Sequence, residues 1–277
     1  MIVTKTESSL AGGLLRKWRK ARHVSQLDLA IQCQISQRHL SFVETGRAQP
    51  SREMILKLSE ALDIPLRVRN EILLAAGYAP YYPERGLAAA EMAAINQSLR
   101  RLLEHHEPYP AMVLDGSWNI VMRNKAAARI IESCVPDRSL AQIAVHGQLN
   151  FLRLLCAPSG LRPHIRSWPQ TSRALLARLR REAAAYPGSP SESLLRELLD
   201  TDDFPESAQM ADSPLQTTIP MEIDAHGHCL KLLTTLTTFG TPQDVSLQEL
   251  RIEMSFPADD ATECLLRGRF ATGPGQR

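Results

Sequence analysis

The sequence predicts an all-α helix-turn-helix bundle followed by an α+β domain with an antiparallel sheet. Three observations predict it. Ser25, Ser36 and Ser51 each stand where a helix would start, and apolar residues follow each at helical period. Residues 78–83 read YAPYYP, which no regular helix continues through. The last third then changes to apolar and polar residues in alternation, the period of strands. The boundaries that follow are 8–80 for the bundle, 81–86 for a linker and 87–270 for the second domain.

Each helix of the bundle has its own signals. Leu10 to His23 carries Leu14, Leu15 and Trp18 as an apolar stripe, with Arg16, Lys17, Arg19, Lys20 and Arg22 around the rest. Ser25 with Asp28 forms a capping box for a short helix whose Leu29 and Ala30 face inward. Ser36 caps Gln37 to Glu44, where Leu40 and Val43 share a face, and Gly46 supplies the stop. Ser51 caps a fourth helix through Ile55, Leu58 and Leu62, and Pro65 opens a fifth, with Ile72, Leu73 and Ala76. Three tyrosines in the linker are placed to pack on a domain surface.

The second domain reads as helix, hairpin, helices, then strands. Leu87 to His106 is a helix. Ala111 to Leu114 and Trp118 to Arg123 are strands joined by Asp115-Gly116, a tight-turn signal, with Trp118, Ile120 and Met122 on one face. Asn124 caps a helix to Cys134, and further helices are expected at Phe151 to Cys156, Gln170 to Tyr186 and Ser191 to Leu199. Strands follow at Thr217 to Asp224, Cys229 to Phe239 and Leu250 to Phe256. Asp259 caps a last helix to Arg267, and ATGPGQR is an unstructured tail. This layout fits a PAS-type fold, a helix-flanked five-stranded sheet that holds a small molecule.

Charge is uneven. Residues 1–85 carry thirteen Lys or Arg against eight Asp or Glu, while the whole chain is only +2. A basic front suits a nucleic-acid partner. The five cysteines, 33, 134, 156, 229 and 264, show no CxxC spacing, which argues for reduced thiols in a cytoplasmic protein. No apolar run reaches the length of a membrane span. Catalytic motifs such as GxSxG, a P-loop or HExxH are absent, so no enzyme is expected. Neither His105-His106, adjacent on a helix, nor His226 and His228, beside the turn residue Gly227, makes a metal site.

Two short capped helices joined by a tight turn suit a reader of the DNA major groove. Gln37 and Arg38 can each make two hydrogen bonds to one base edge, Gln to adenine and Arg to guanine. Ser41 adds a contact, and Phe42 suits a thymine methyl. Gln26, His39, Arg47 and Arg52 are the phosphate candidates. Polar residues of these kinds also suit an ordinary surface helix. The spacing of Ser25-Gln26, Leu29-Ala30, Ile35-Ser36, Leu40, Val43-Glu44, Gly46 and Pro50-Ser51 resembles the XRE-type helix-turn-helix of phage repressors. One departure is Gln34, where that family usually has Gly.

In the second domain Met112, Leu114, Trp118 and Met122 on the hairpin, with Thr234 and Leu236 on facing strands, are candidates to line a pocket. Phe151, Trp168 and Leu175 are candidates to roof it. The same residues would build the core of any α+β domain. Arg162, His164 and Arg173 stand near the roof, where a cation could neutralise a carboxylate.

Three segments together resemble the MmyB-like regulators of bacteria: QRHLSFVETGRAQPSREMILKLSEALDIPLRVRNEILLAAGYAP, PAMVLDGSWNIVMRNKAA and TTFGTPQDVSLQELRIEMSFPAD. The resemblance implies an XRE helix-turn-helix ahead of a PAS-like domain that binds a small apolar ligand, a fatty acid being one candidate. The expected partners are double-stranded DNA, that ligand and a second copy of the chain in a homodimer. The alternative is a rear domain that serves only to dimerise or to recruit a partner.

Overall fold

In the computed structural model, residues 5–145, 147–186, 188–200, 221–225 and 227–268 are described. The chain divides into two units. Residues 1–85 and 240–248 form the first, and 86–239 with 249–277 form the second.

The described residues before the tyrosine segment form five helices: α1 (Lys5–Ala21), α2 (Gln26–Gln32), α3 (Gln37–Glu44), α4 (Arg52–Ala61) and α5 (Leu66–Ala75). Ser25, Ser36 and Ser51 each accept a backbone N–H of the helix they open, from Asp28, His39 and Met54. Leu15, Trp18, Leu29, Leu40, Val43, Ile55, Leu58, Ile72 and Leu73 form one buried cluster. Gly12 lies so close to the Val43 carbonyl that no Cβ fits, and this lets α1 press against the back of α3. Gln34, in the turn between α2 and α3, has φ 52°, a left-handed conformation that favours glycine.

Two stretches beyond these five helices complete this unit. Asn70 holds the tyrosine segment: its Oδ1 accepts from the N–H groups of Tyr81 and Tyr82, each at 3.0 Å, and its Nδ2 donates to the Tyr82 carbonyl at 2.7 Å. Residues 240–248, which lie in the second domain by sequence, belong here. Pro65 has no side chain to cap α5, and Gln248 does so instead: its Oε1 accepts the Leu66 N–H at 2.7 Å.

The second unit is α+β. It runs through a 3-10 turn (Ala90–Met92), α6 (Ala93–His105), β1 (Ala111–Leu114), β2 (Ile120–Arg123), α7 (Lys125–Cys134), α8 (Asp137–Ile143), α9 (Phe151–Cys156), α10 (Trp168–Ala185), α11 (Pro190–Leu199), β3 (Met221–Ala225) and β4 (His228–Thr237). It ends with β5 (Arg251–Pro257) and α13 (Asp260–Gly268); the short α12 (Val245–Glu249), all but its last residue within the first unit, leads into β5. The strands form one antiparallel sheet in the order β2-β1-β5-β4-β3. This is the PAS-like layout expected. One face of the sheet packs on α7, α9, α10 and α11 through Leu114, Ile223, Leu230 and Leu232.

The structure departs from the sequence reading in several places. Asp115-Gly116 does not make a two-residue turn. Asp115 Oδ1 accepts from the Ser117 and Asn119 N–H groups, so the connection spans residues 115–119 and β2 starts at Ile120. Trp118 leaves the strand and takes φ 67°. The helix expected from Leu87 begins at Ala93, and α8 was not anticipated. Thr217 to Pro220, His226 and the tail ATGPGQR lie outside the described residues.

Candidate DNA-binding helix and ligand pocket

Helix α3 is fixed from behind. Arg19 of α1 meets Glu44 through Nε to Oε1 at 2.6 Å and Nη2 to Oε2 at 2.9 Å, both groups buried. Gln26 Nε2 donates to the same Oε2 at 2.7 Å. Burial alone pushes the Glu44 carboxyl up, but the bonds from Arg19 and Gln26 outweigh it and hold the carboxyl below the usual range. Arg19 is thus a structural residue of the core, although the charge run of α1 places it on the solvated face. A buried acid at the last position of α3 is the reason, and no period in the sequence marks it.

With its inner face anchored, α3 presents the rest. Gln37 and Arg38 are exposed on the first turn, and His39, Ser41 and Phe42 are half-buried beside them. The Arg38 guanidinium lies 5.4 Å from the Phe42 ring centroid, which holds both side chains on one surface. Arg47 is exposed in the loop after Gly46, where φ is 70°. Two of the phosphate candidates have internal partners. Gln26 spends one N–H on Glu44. Arg52 Nη2 donates to the Ala79 carbonyl at 3.4 Å, and its guanidinium lies 6.0 Å from Tyr81.

In the second unit a cavity of about 50 Å³ lies against the sheet. Met112, Phe151 and Thr234 line it. The other six ligand candidates do not. Leu114 and Leu175 are in the surrounding core. Met122 pairs with Val113, because the register shifts between Val113 and Leu114; this puts Met122 on the face opposite Met112. Leu236 is exposed. Trp168 is half-buried, with the Arg162 guanidinium 5.5 Å from its ring.

Trp118 is buried in a polar cluster instead. The guanidinium groups of Arg178 and Arg251 lie 4.3 and 4.7 Å from its ring centroid. Its Nε1 donates to Ser191 Oγ, which donates to Glu182 Oε2 at 2.9 Å. Glu182 also pairs with both arginines, and Arg178 Nη1 donates to Glu253 Oε1 at 2.9 Å. Burial pushes the Glu253 carboxyl up against the pull of Arg178 and Arg251, and burial pushes Arg251 down. A left-handed Trp between two arginines marks a strained, fully specified position.

Glu253 also borders the cavity, with Ser255 two residues on. The sequence reading missed both. The signal was present in RIEMSFP, where the polar phase of the alternation faces the cavity and the apolar phase faces away.

Comparison with known proteins follows this division. A helix-turn-helix family model matches residues 15–68, and the model of the MmyB-like transcription regulator ligand binding domain matches residues 95–268. The chain belongs to the MmyB-like transcription regulators. No curated protein matches this MmyB-like regulator. Among solved structures it is similar to the clp gene regulator ClgR from Corynebacterium glutamicum, at 26% identity over 37% of this chain and 95% of that one, with a TM-score of 0.23. It is also similar to an RNA-binding light-oxygen-voltage receptor, at 16% identity over 96% of this chain and 62% of that one, with a TM-score of 0.29. The family makes this MmyB-like regulator a DNA-binding transcription regulator with a small-molecule ligand domain. No described helix is long and apolar enough to cross a membrane, and no cluster of three or more His, Cys, Asp or Glu is placed to hold a metal among the described residues.

Proposed function

We propose that the MmyB-like regulator binds an operator through α3 and that its second unit senses a small apolar molecule, with a fatty acid as one candidate. The observation that carries the reading is the exposed first turn of α3, with Gln37 and Arg38 outermost on a helix clamped from behind by Arg19 and Glu44. In this reading Gln37 and Arg38 contact base edges, Ser41 and Phe42 add contacts, and His39 and Arg47 hold phosphates. Gln26 and Arg52 have partners within the bundle, so they reach a phosphate through their remaining N–H groups. A homodimer would present two α3 helices about 34 Å apart to a near-palindromic site.

Ligand binding would have to widen the pocket. An engineered cavity of about 150 Å³ holds benzene, and the space here is about 50 Å³. The ligand therefore selects an open state, and it shifts DNA affinity only as far as it prefers that state. Chain connectivity offers the route: β4 and β5 border the pocket, and residues 240–248 that join them belong to the first unit.

Native mass spectrometry of the purified protein, with extraction of whatever it carries, tests the sensing half. A bound apolar molecule that alters binding to a selected duplex supports it. A ligand-free dimer whose DNA affinity added fatty acids leave unchanged points to a rear unit that only dimerises or recruits a partner.

A further inference from the structure

The segment YAPYYP, residues 78–83, follows the last helix of the bundle, yet it returns to the loop that joins α3 to α4. Tyr78 Oη donates to the Pro50 carbonyl at 3.1 Å, and Gln49 Nε2 donates to the Ala76 carbonyl at 3.3 Å. Gln49 and Pro50 lie between Arg47 and Arg52, the two phosphate candidates beyond α3. Arg52 is exposed at the first position of α4. Its Nη2 donates to the Ala79 carbonyl at 3.4 Å, and its guanidinium carbon lies 6.0 Å from the Tyr81 ring centroid.

Tyr81 is fixed by its own neighbours. Its N–H donates to Asn70 Oδ1 at 3.0 Å, and its ring meets the Tyr82 ring edge-on with centroids 5.0 Å apart. Tyr82 is tied down in turn: its Oη accepts from Arg69 Nη1 at 3.1 Å, and its carbonyl accepts from Asn70 Nδ2 at 2.7 Å. Tyr78 packs on the buried cluster of the bundle, but Tyr81 is not among the residues packed there and is 55% exposed. Its ring covers a surface arginine and not the core. Gripping a phosphate freezes the rotamers of a long side chain, and an arginine already held by a ring and a carbonyl loses less freedom on binding. A guanidinium has five N–H donors, and the bond to Ala79 uses one.

We propose that Tyr81 is a positioning residue of the DNA interface: its ring, with the Ala79 carbonyl, sets Arg52 to grip a backbone phosphate beside the bases that α3 reads. The inference rests on Arg52 as a phosphate contact and assigns a part in DNA binding to the tyrosine segment.

The test is fluorescence anisotropy of the full chain on a selected duplex and on a random one, at several salt concentrations. Tyr81→Ala should weaken both duplexes about threefold, the worth of one exposed cation–π contact. Tyr81→Phe keeps the ring and should bind as wild type does. Arg52→Ala should weaken both duplexes and reduce the salt slope by about 1. The double variant should bind no more weakly than Arg52→Ala alone, because Tyr81 acts through Arg52. Arg52→Lys keeps the charge without the planar group that stacks; it should lose about as much as Tyr81→Ala and serves if that variant does not fold. Losses that add in the double variant, a Tyr81→Phe as weak as Tyr81→Ala, or an Arg52→Lys equal to wild type overturns the positioning role while Arg52 stays a phosphate contact. An Arg52→Ala with wild-type affinity and salt slope removes Arg52 from the interface and the role of Tyr81 with it.

Discussion

Arg19 and Glu44 are 25 residues apart in sequence and meet in a two-bond ion pair that ties the last turn of α1 to the last residue of α3. The Glu44 side chain is 1% exposed. Removing one partner of such a pair leaves a buried charge alone, which costs about 3–5 kcal/mol. Glu44→Ala should lower the stability of the first unit by that amount, read as a shift in the urea midpoint. The pH dependence has a definite sign. A carboxyl held low in the folded state contributes stability that is complete above its unfolded value, about 4.3, and is lost as pH falls through the folded value. Wild type should therefore lose stability below about pH 4.3 more steeply than Glu44→Gln. Equal slopes would remove Glu44 as a source of acid sensitivity.

Arg38 and Arg47 should fail in different ways. Arg38 sits at the exposed start of α3 against Phe42, and Arg47 sits in the loop beyond Gly46. If Arg38 reads a base, Arg38→Ala should lose about 1–3 kcal/mol at one base pair and little on random duplex. If Arg47 holds a phosphate, Arg47→Ala should weaken specific and random DNA alike and reduce the salt slope by about 1. Gel-shift titrations at several salt concentrations separate the two. Equal losses of Arg38→Ala on both kinds of DNA would sink its base-reading role.

The bundle was legible because its signals are local. A serine followed by apolar residues at helical period contains its own cap, and Ser25, Ser36 and Ser51 all act as the spacing predicts. What stayed hidden depends on residues far apart. Arg19 looks like one more cation of a solvated run until Glu44 is placed behind it. Met122 changes face through one bulge between Val113 and Leu114. Asp115-Gly116 has the composition of a tight hairpin, yet Asp115 caps a longer loop and Trp118 takes the left-handed position. Gly116 stays out of it; a Cβ there would meet the Glu249 carboxylate at 2.8 Å. Three of nine ligand candidates line the cavity, because the sequence shows which residues are apolar and not which of them surround the gap.

Gln34 offers a test of strain. Its φ of 52° costs a residue with a Cβ about 1–2 kcal/mol. Glycine relieves that and gives back about 0.4–1 kcal/mol through the freer unfolded chain. Gln34→Gly should therefore stabilise the first unit by about 0.5–1 kcal/mol, measured by thermal unfolding. Gln34 is exposed, so no packing is lost in the exchange. A destabilised variant would mean that the turn relaxes its φ in solution.

Gln248 joins stability to regulation. It caps α5 from a position 182 residues further along the chain, on the stretch between β4 and β5. Val245 N–H donates to the Pro83 carbonyl at 2.8 Å, and the largely buried Asp244 pairs with Arg85. These bonds fasten the β4–β5 connection to the DNA-binding unit. Gln248→Ala should cost about 1 kcal/mol as a lost cap. If the connection carries the ligand signal, the variant should also bind ligand and DNA separately as wild type does, with a smaller effect of one on the other. Fluorescence anisotropy of a labelled operator, titrated with and without saturating ligand, measures that coupling. A variant with the stability loss and unchanged coupling would leave Gln248 a cap and place the route elsewhere.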